Sequence, residues 1–180
     1  MGTQTKPELT VSRPDLIADG SDLHFRQMLH DLLAFSSRLQ QVRGRFAAFI
    51  GLTGPQYTIL ITIRQLAARD DATVGSVADH LALTPTFVAS ETKKLATMGI
   101  VEKDPDPMDM RRVMLSVSAK GEQLLHELAP VQRQINDALF SPVTAENFAL
   151  LRSLSASLRN SAEDALALSD QLLKEAEEKA

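Results

Sequence analysis

Residues 99–118 read GIVEKDPDPMDMRRVMLSVS, and the change of period inside this stretch decides the fold. Up to Gly99, apolar side chains recur every three or four residues. Beyond it, Ile100 and Val101 open an extended run, and Val113, Leu115 and Val117 alternate with Met114 and Ser116. A period of two marks a strand, and Asp104-Pro105-Asp106-Pro107 interrupts it with residues suited to a turn. The stretch predicts a two-stranded hairpin with a charged tip.

Helices are expected on both sides of it. Immediately upstream, Thr84 and Pro85 supply a cap and a first-turn proline for a helix over 85–98 that packs Val88, Leu95 and Met98 and stops at Gly99. Thr73 caps a short helix with Val74, Val77, Ala78 and Leu81 inward. Thr53 and Pro55 open another through Ile59, Leu60, Ile63 and Leu66. Further upstream, Ser21 caps a long amphipathic helix whose stripe runs Phe25, Met28, Leu32, Phe35, Leu39, Val42, Phe46 and Phe49, ended by Gly51. Downstream of the hairpin, Ser118 caps a helix carrying Leu124, Leu125, Leu128, Ile135 and Leu139, which Pro130 should kink. Thr144 caps a last helix with Phe148, Leu151, Leu154, Leu158, Ala162 and Ala165 on one face. Residues 1–20 contain Pro7, Pro14 and Gly20 without periodicity and read as a loosely ordered arm.

Helix, short helix, turn, helix and hairpin is the order of a winged helix-turn-helix, whose second helix lies in the major groove of DNA. Generic packing of amphipathic helices produces the same periodicities. The expected fold is therefore mainly α with a small β-hairpin: a winged helix-turn-helix domain over 52–120, flanked by dimerisation helices over 21–50 and 121–176. The apolar stripes of the flanking helices are longer than so small a domain can cover, which predicts an obligate homodimer.

Composition narrows the function. The 180 residues are 44% hydrophobic and 23% charged, enough for a real core. A net charge of -4 argues against indiscriminate binding to nucleic acid. The absence of cysteine removes disulfides, thiol redox switches, iron–sulfur clusters and cysteine nucleophiles. With one Tyr and no Trp, little surface remains for stacking on single-stranded bases. Apolar stretches fall short of the roughly 20 residues of a membrane span, and no basic-then-apolar leader opens the chain, so a soluble, unprocessed, cytoplasmic protein is expected. His24, His30, His80 and His126 lack metal-ligand spacing, and neither a nucleophile elbow nor a phosphate-cradling glycine loop occurs. Neither an enzyme nor a cofactor is expected.

The charges are unevenly placed. Leu32 to Arg69 holds five arginines (Arg38, Arg43, Arg45, Arg64, Arg69) and no acid, whereas Gly121 to Ala180 holds ten acids against five bases. Between Thr73 and Arg112, five cations meet six acids. If this segment contacts DNA, its cations must face phosphate while its acids turn away or pair internally.

Four motifs in order resemble the multiple-antibiotic-resistance regulator (MarR) family of bacterial transcription factors, over about Leu23 to Leu158. Leu52-Thr53-Gly54-Pro55-Gln56-Tyr57-Thr58-Ile59-Leu60 is similar to the family's L-T-x-x-Q-x-x-x-L segment. Val77-Ala78-Asp79-His80-Leu81, then Leu95 and Gly99-Ile100-Val101, match its helix-turn-helix spacing. Asp109-Met110-Arg111-Arg112, followed by Leu115, Val117, Ser118 and Gly121, resembles its wing, D-x-R-R and L-x-L-T-x-x-G. The resemblance implies a homodimeric repressor on a pseudo-palindromic double-stranded operator, released by a small, often phenolic, effector. Members commonly carry Arg or Lys in the middle of the recognition helix; here that position holds Ser90, with Glu91 beside it.

The DNA contacts expected on this reading are Thr84, Thr86 and Ser90 through hydroxyls and Lys93 and Lys94 through phosphates. In the wing, Arg111, seconded by Arg112, enters or skirts the minor groove while Asp109 steadies its guanidinium. Arg38, Arg45 and Tyr57 are the candidate residues for an aromatic-acid effector. A winged-helix module that binds proteins rather than DNA is the alternative, consistent with the negative net charge.

Overall fold

The computed structural model describes residues 8–106 and 112–179, which fall in two compact units, Met1–Pro130 and Val131–Ala180. In the first, a 3-10 turn (Pro14–Leu16) precedes helices α1 (Leu23–Phe49), α2 (Gly54–Ala67), α3 (Val74–Leu81) and α4 (Pro85–Thr97). Strands β1 (Val101–Pro105) and β2 (Val113–Val117) follow, and then the start of α5 (Ala119–Leu139). The second contains the end of α5 and α6 (Ala145–Glu177). The chain is mainly helical with one small antiparallel hairpin, as its periodicities predict.

Side-chain caps set most helix starts. Thr53, Thr73 and Thr144 each accept a bond from the backbone three residues on, and Gln56, Ser76 and Asn147 at those positions return one to the cap's own N–H. Two donors that a helix start leaves open are thereby satisfied at once. Thr84 accepts from the Phe87 N–H, with Pro85 just inside the helix, and Ser118 accepts from the Gly121 N–H at 3.1 Å.

The start of α1 differs from expectation. Its N-cap residue is Asp22 rather than Ser21, and the Asp22 carboxylate caps nothing. Asp22 is buried and accepts from both the backbone N–H and the hydroxyl of Thr10, each at 2.6 Å, while Arg26 reaches its other oxygen at 3.0 Å. Ser21 is left to accept from the Leu23 N–H at 3.2 Å. The described part of the arm is thus tied to the first turn of α1 by a buried charge that needs those donors.

The core of the first unit is centred on α2, which packs on α1, α3, α4 and β2. Ile59, Leu60 and Ile63 of α2 are fully buried, as are Val77, Val88, Leu95, Ile100, Leu115 and Leu128. The hairpin pairs Val101 with Val117 through to Pro105 with Val113, and the Leu115 N–H also donates to the Ala72 carbonyl at 2.7 Å. The loop before α3 therefore lines the hairpin's outer edge. At Gly121 a Cβ would lie 2.5 Å from the Ile100 carbonyl oxygen and 2.7 Å from the Val117 side chain, so only glycine lets α5 leave the hairpin this closely. Met98, expected to pack, is 39% exposed: α4 ends at Thr97 and Gly99 turns the chain at a φ of +72°. Pro130 lies inside α5 and removes one of its backbone bonds.

In α1 only Phe46 and Ala47 are buried, and Met28, Leu32, Phe35 and Phe49 are 38–58% exposed. No residue of α6 is buried, and its stripe of Phe148, Leu151, Leu154 and Leu158 is 44–58% exposed. Among the described residues no single helix is long and apolar enough to cross a membrane.

Candidate nucleic-acid interface

The helix-turn-helix is built by α3 and α4. Its turn closes at Ala82, which adopts a left-handed backbone (φ +52°), and the Leu83 N–H returns to the Ala78 carbonyl at 3.0 Å. Val88, Thr92 and Leu95 face inward on α4 and are fully buried. The opposite face carries Thr86, Ser90, Lys93 and Thr97, spaced four, three and four residues apart and all exposed. Thr84 is also exposed, but its side-chain oxygen accepts the Phe87 N–H at 3.3 Å, so it serves first as the helix cap.

Glu91 does not share that outer face. It is buried, and one carboxylate oxygen accepts from the Gln56 amide at 3.1 Å while the other accepts from the Lys94 ammonium at 2.6 Å. The Gln56 side-chain oxygen meanwhile accepts the Thr53 N–H at 3.1 Å. A single amide thus caps α2 and holds the recognition helix. Lys94 beside it holds the Glu91 carboxyl below the usual carboxylate range, against the opposing effect of burial and with help from Gln56. The acid that looked awkward beside Ser90 is turned inward, and the exposed face of α4 carries Lys93 and Lys94 with no exposed acid.

The wing is rooted by Arg112. Its guanidinium bonds Asp71, in the loop before α3, at 3.0 Å and approaches Asp106 across the hairpin mouth at 3.8 Å. Asp106 N–H donates to the Arg112 carbonyl at 2.9 Å, which closes the base of the loop. Lys103 of β1 donates to Thr92 on α4 at 3.2 Å and so ties the hairpin to the recognition helix. Asp109 and Arg111 lie outside the described residues.

Arg38 and Arg45 differ from Tyr57 in exposure. Arg38 and Arg45 lie along α1, with Arg38 exposed and donating to the Ala34 carbonyl and Arg45 exposed beyond it, whereas Tyr57 is 1% exposed. The tyrosine ring packs edge-on against Phe46, and the guanidinium over it, 5.2 Å from its centre, belongs to Arg43. A shallow hollow of about 480 Å³ lies instead on the N-terminal half of α1, lined by His24, Gln27, Met28, Asp31, Leu32 and Phe35. Among the described residues no group of three His, Asp or Glu could hold a metal ion.

Three features escape a reading of charge and motif alone: the Gln56–Glu91–Lys94 chain, the stacking of Arg43 on Tyr57, and an exposed phenyl ring, Phe87, in the first turn of α4. The spacing from Val88 to Glu91 to Leu95 is the signal that could have placed Glu91 on the inward face.

Comparison with known proteins agrees with this geometry. Residues 52–121 match the winged helix DNA-binding domain family. The transcriptional regulator HosA of Escherichia coli is 23% identical over 109 residues, covering 61% of this chain and 78% of HosA. A MarR variant from E. coli, solved with operator DNA, superposes with a TM-score of 0.57 at 18% identity over 76% of this chain and 94% of its own. The PcaV regulator from Streptomyces coelicolor, solved with its natural ligand, gives 0.52 at 24% identity over 71% and 90%. Residues 52–121 are thus similar to winged helix DNA-binding domains, and the chain has the fold of the MarR-family regulators.

Proposed function

We propose that the protein is a homodimeric transcription regulator that binds a pseudo-palindromic duplex operator in the cytoplasm and acts as a repressor released by a small aromatic acid. One observation carries the DNA-binding part: the outward face of α4 presents Thr86, Ser90, Lys93 and Thr97, with Lys94 alongside, while the one acid of the helix is buried. Apposed cations without apposed acids are what counterion release from DNA requires.

Residues 52–120 read the duplex in this proposal, with the helices over 21–50 and 121–176 pairing two copies. The exposed apolar residues of α1 and α6 support that pairing, because side chains of this size gain most of their stabilisation only once covered. Thr84, Thr86 and Ser90 offer hydroxyls, Lys93 and Lys94 meet phosphates, and Arg111, steadied by Asp109, enters the minor groove. Arg112, already bonded to Asp71, roots the wing more than it reads DNA. Arg38 and Arg45, seven residues apart on α1, supply charge for an aromatic acid near the wall that contains Tyr57. Release follows if the acid binds better to a spacing of the two recognition helices that does not fit DNA, by about 1–3 kcal/mol.

Selection of duplexes from a random pool by the full-length protein checks this. The enriched duplex should contain two half-sites about 34–36 Å apart and lose affinity steeply between about 50 and 200 mM salt. Arg111→Ala should cost at least about 1 kcal/mol of binding and lower the salt slope by about one. No enrichment, with salt-insensitive binding, would instead favour a winged-helix module that binds proteins.

A further inference from the structure

Phe87 is the one large apolar side chain exposed on α4, at 39%, and it stands in the first turn of the helix, its N–H held by the Thr84 cap. Residues near the start of a recognition helix are the ones that approach base edges. At 100° per residue, Phe87 lies about 60° from Ser90 around the helix, on the same flank as Lys94. The ring is therefore set beside hydroxyls and ammonium groups. It does not belong to the apolar stripes of α1 and α6, where a partner helix would cover it.

We propose that Phe87 is a specificity-determining residue that packs on the C5-methyl group of a thymine in the major groove. The inference rests on the DNA-binding reading above and names part of what the site recognises. Two observations favour duplex DNA as the occupant. Lys93 and Lys94 follow on the same helix, where phosphates would lie, and α4 contains no arginine to read guanine bidentately; among the described residues the apolar surface near Phe87 is limited to Leu83, 37% exposed in the preceding turn. The thymine methyl is the apolar feature of the major groove, and a phenyl ring is one of the side chains that reads it. An apolar contact of this kind supplies discrimination that the hydroxyls of Thr86 and Ser90, which accept and donate to several bases, supply weakly.

The experiment uses the full-length protein and a duplex enriched by it from a random pool. Each thymine is replaced singly by deoxyuridine, which lacks the methyl group and keeps every hydrogen-bonding group. At one position in each half-site the replacement should weaken wild-type binding by about three- to tenfold. Phe87→Ala should bind the thymine and uracil duplexes equally, with the wild-type salt slope and circular dichroism showing that it is folded; Phe87→Leu should keep part of the discrimination. Indifference of the wild type to every replacement, or the same sensitivity in Phe87→Ala, overturns the proposal while leaving DNA binding intact. Failure of the wild type to enrich any duplex overturns the DNA-binding reading itself, and this proposal with it.

Discussion

Replacing Glu91 by glutamine should strengthen DNA binding and steepen its salt dependence. Lys94 is 58% exposed and its ammonium lies 2.6 Å from a carboxylate that is almost wholly buried. An exposed partner screens such a pair, so its worth is about 0.2–1 kcal/mol. That amount must be surrendered before Lys94 can turn to a phosphate. Glutamine keeps an oxygen for the Gln56 amide but removes the charge that detains the lysine. In the proposed dimer, two protomers together gain about 0.4–2 kcal/mol, a rise in affinity of about 2- to 30-fold at low salt. If Lys94 then neutralises one phosphate in each half-site, the slope of log affinity against log salt grows by about 0.9 per protomer. Fluorescence anisotropy of an enriched duplex, titrated at several salt concentrations, reads both quantities. In a protein that already carries Lys94→Met, adding Glu91→Gln should change neither affinity nor slope. A Glu91→Gln dimer that folds normally yet binds with an unchanged slope would show that the carboxylate does not restrain Lys94, and the reasoning fails.

Three further outcomes are expected. The Thr10 hydroxyl, then its N–H, and Arg26 lower the Asp22 pKa, so the stability it contributes is present above the ordinary carboxylate pKa and is lost only as pH falls through the lowered folded value; proteolysis of the arm should stay slow at mildly acidic pH in the wild type and be fast at neutral pH in Asp22→Asn, and equal rates at neutral pH would refute the tie. Ala82→Gly should raise the unfolding temperature by about 1–4 °C, since alanine is strained at its φ of +52°; calorimetry showing no rise would mean that the turn tolerates a Cβ without cost. Gly121→Ala should destabilise by about 1–3 kcal/mol, because the added carbon meets the Ile100 carbonyl and Val117, and an unchanged urea midpoint would contradict that crowding.

The helix starts and the hairpin are legible in the sequence because their causes are local. Thr53, Thr73, Thr84 and Thr144 announce caps, and the alternation of Val113, Leu115 and Val117 announces a strand, with no knowledge of what packs against them. The start of α1 is misread for the opposite reason: Ser21 and Asp22 are equally good caps by type, and Thr10, twelve residues upstream of Asp22, draws the Asp22 carboxylate away from the helix start. The site shows the same division. Ser90 and Lys93 fall on the outer face by helical period alone. The role of Glu91 depends on Gln56, thirty-five residues away, and a count of charges places it among the acids opposing DNA. The placement of Arg43 over the Tyr57 ring is likewise a contact between helices that no local pattern announces.

The loop between α2 and α3 supports the wing at two points, through the Ala72 carbonyl on Leu115 and through Asp71 on Arg112, and neither bond involves the recognition helix. Its length therefore sets where the base of the hairpin sits, and Lys103 carries any shift on to Thr92 of α4. One residue added or removed between Ala68 and Thr73 would therefore move both supports of the hairpin at once, with α4 held by Gln56 on one side and drawn along through Lys103 on the other. On the proposed DNA-binding reading, an insertion in this loop would thus alter the reach of the wing and the seating of α4 together, whereas a substitution on the outer face of α4 would alter that face alone.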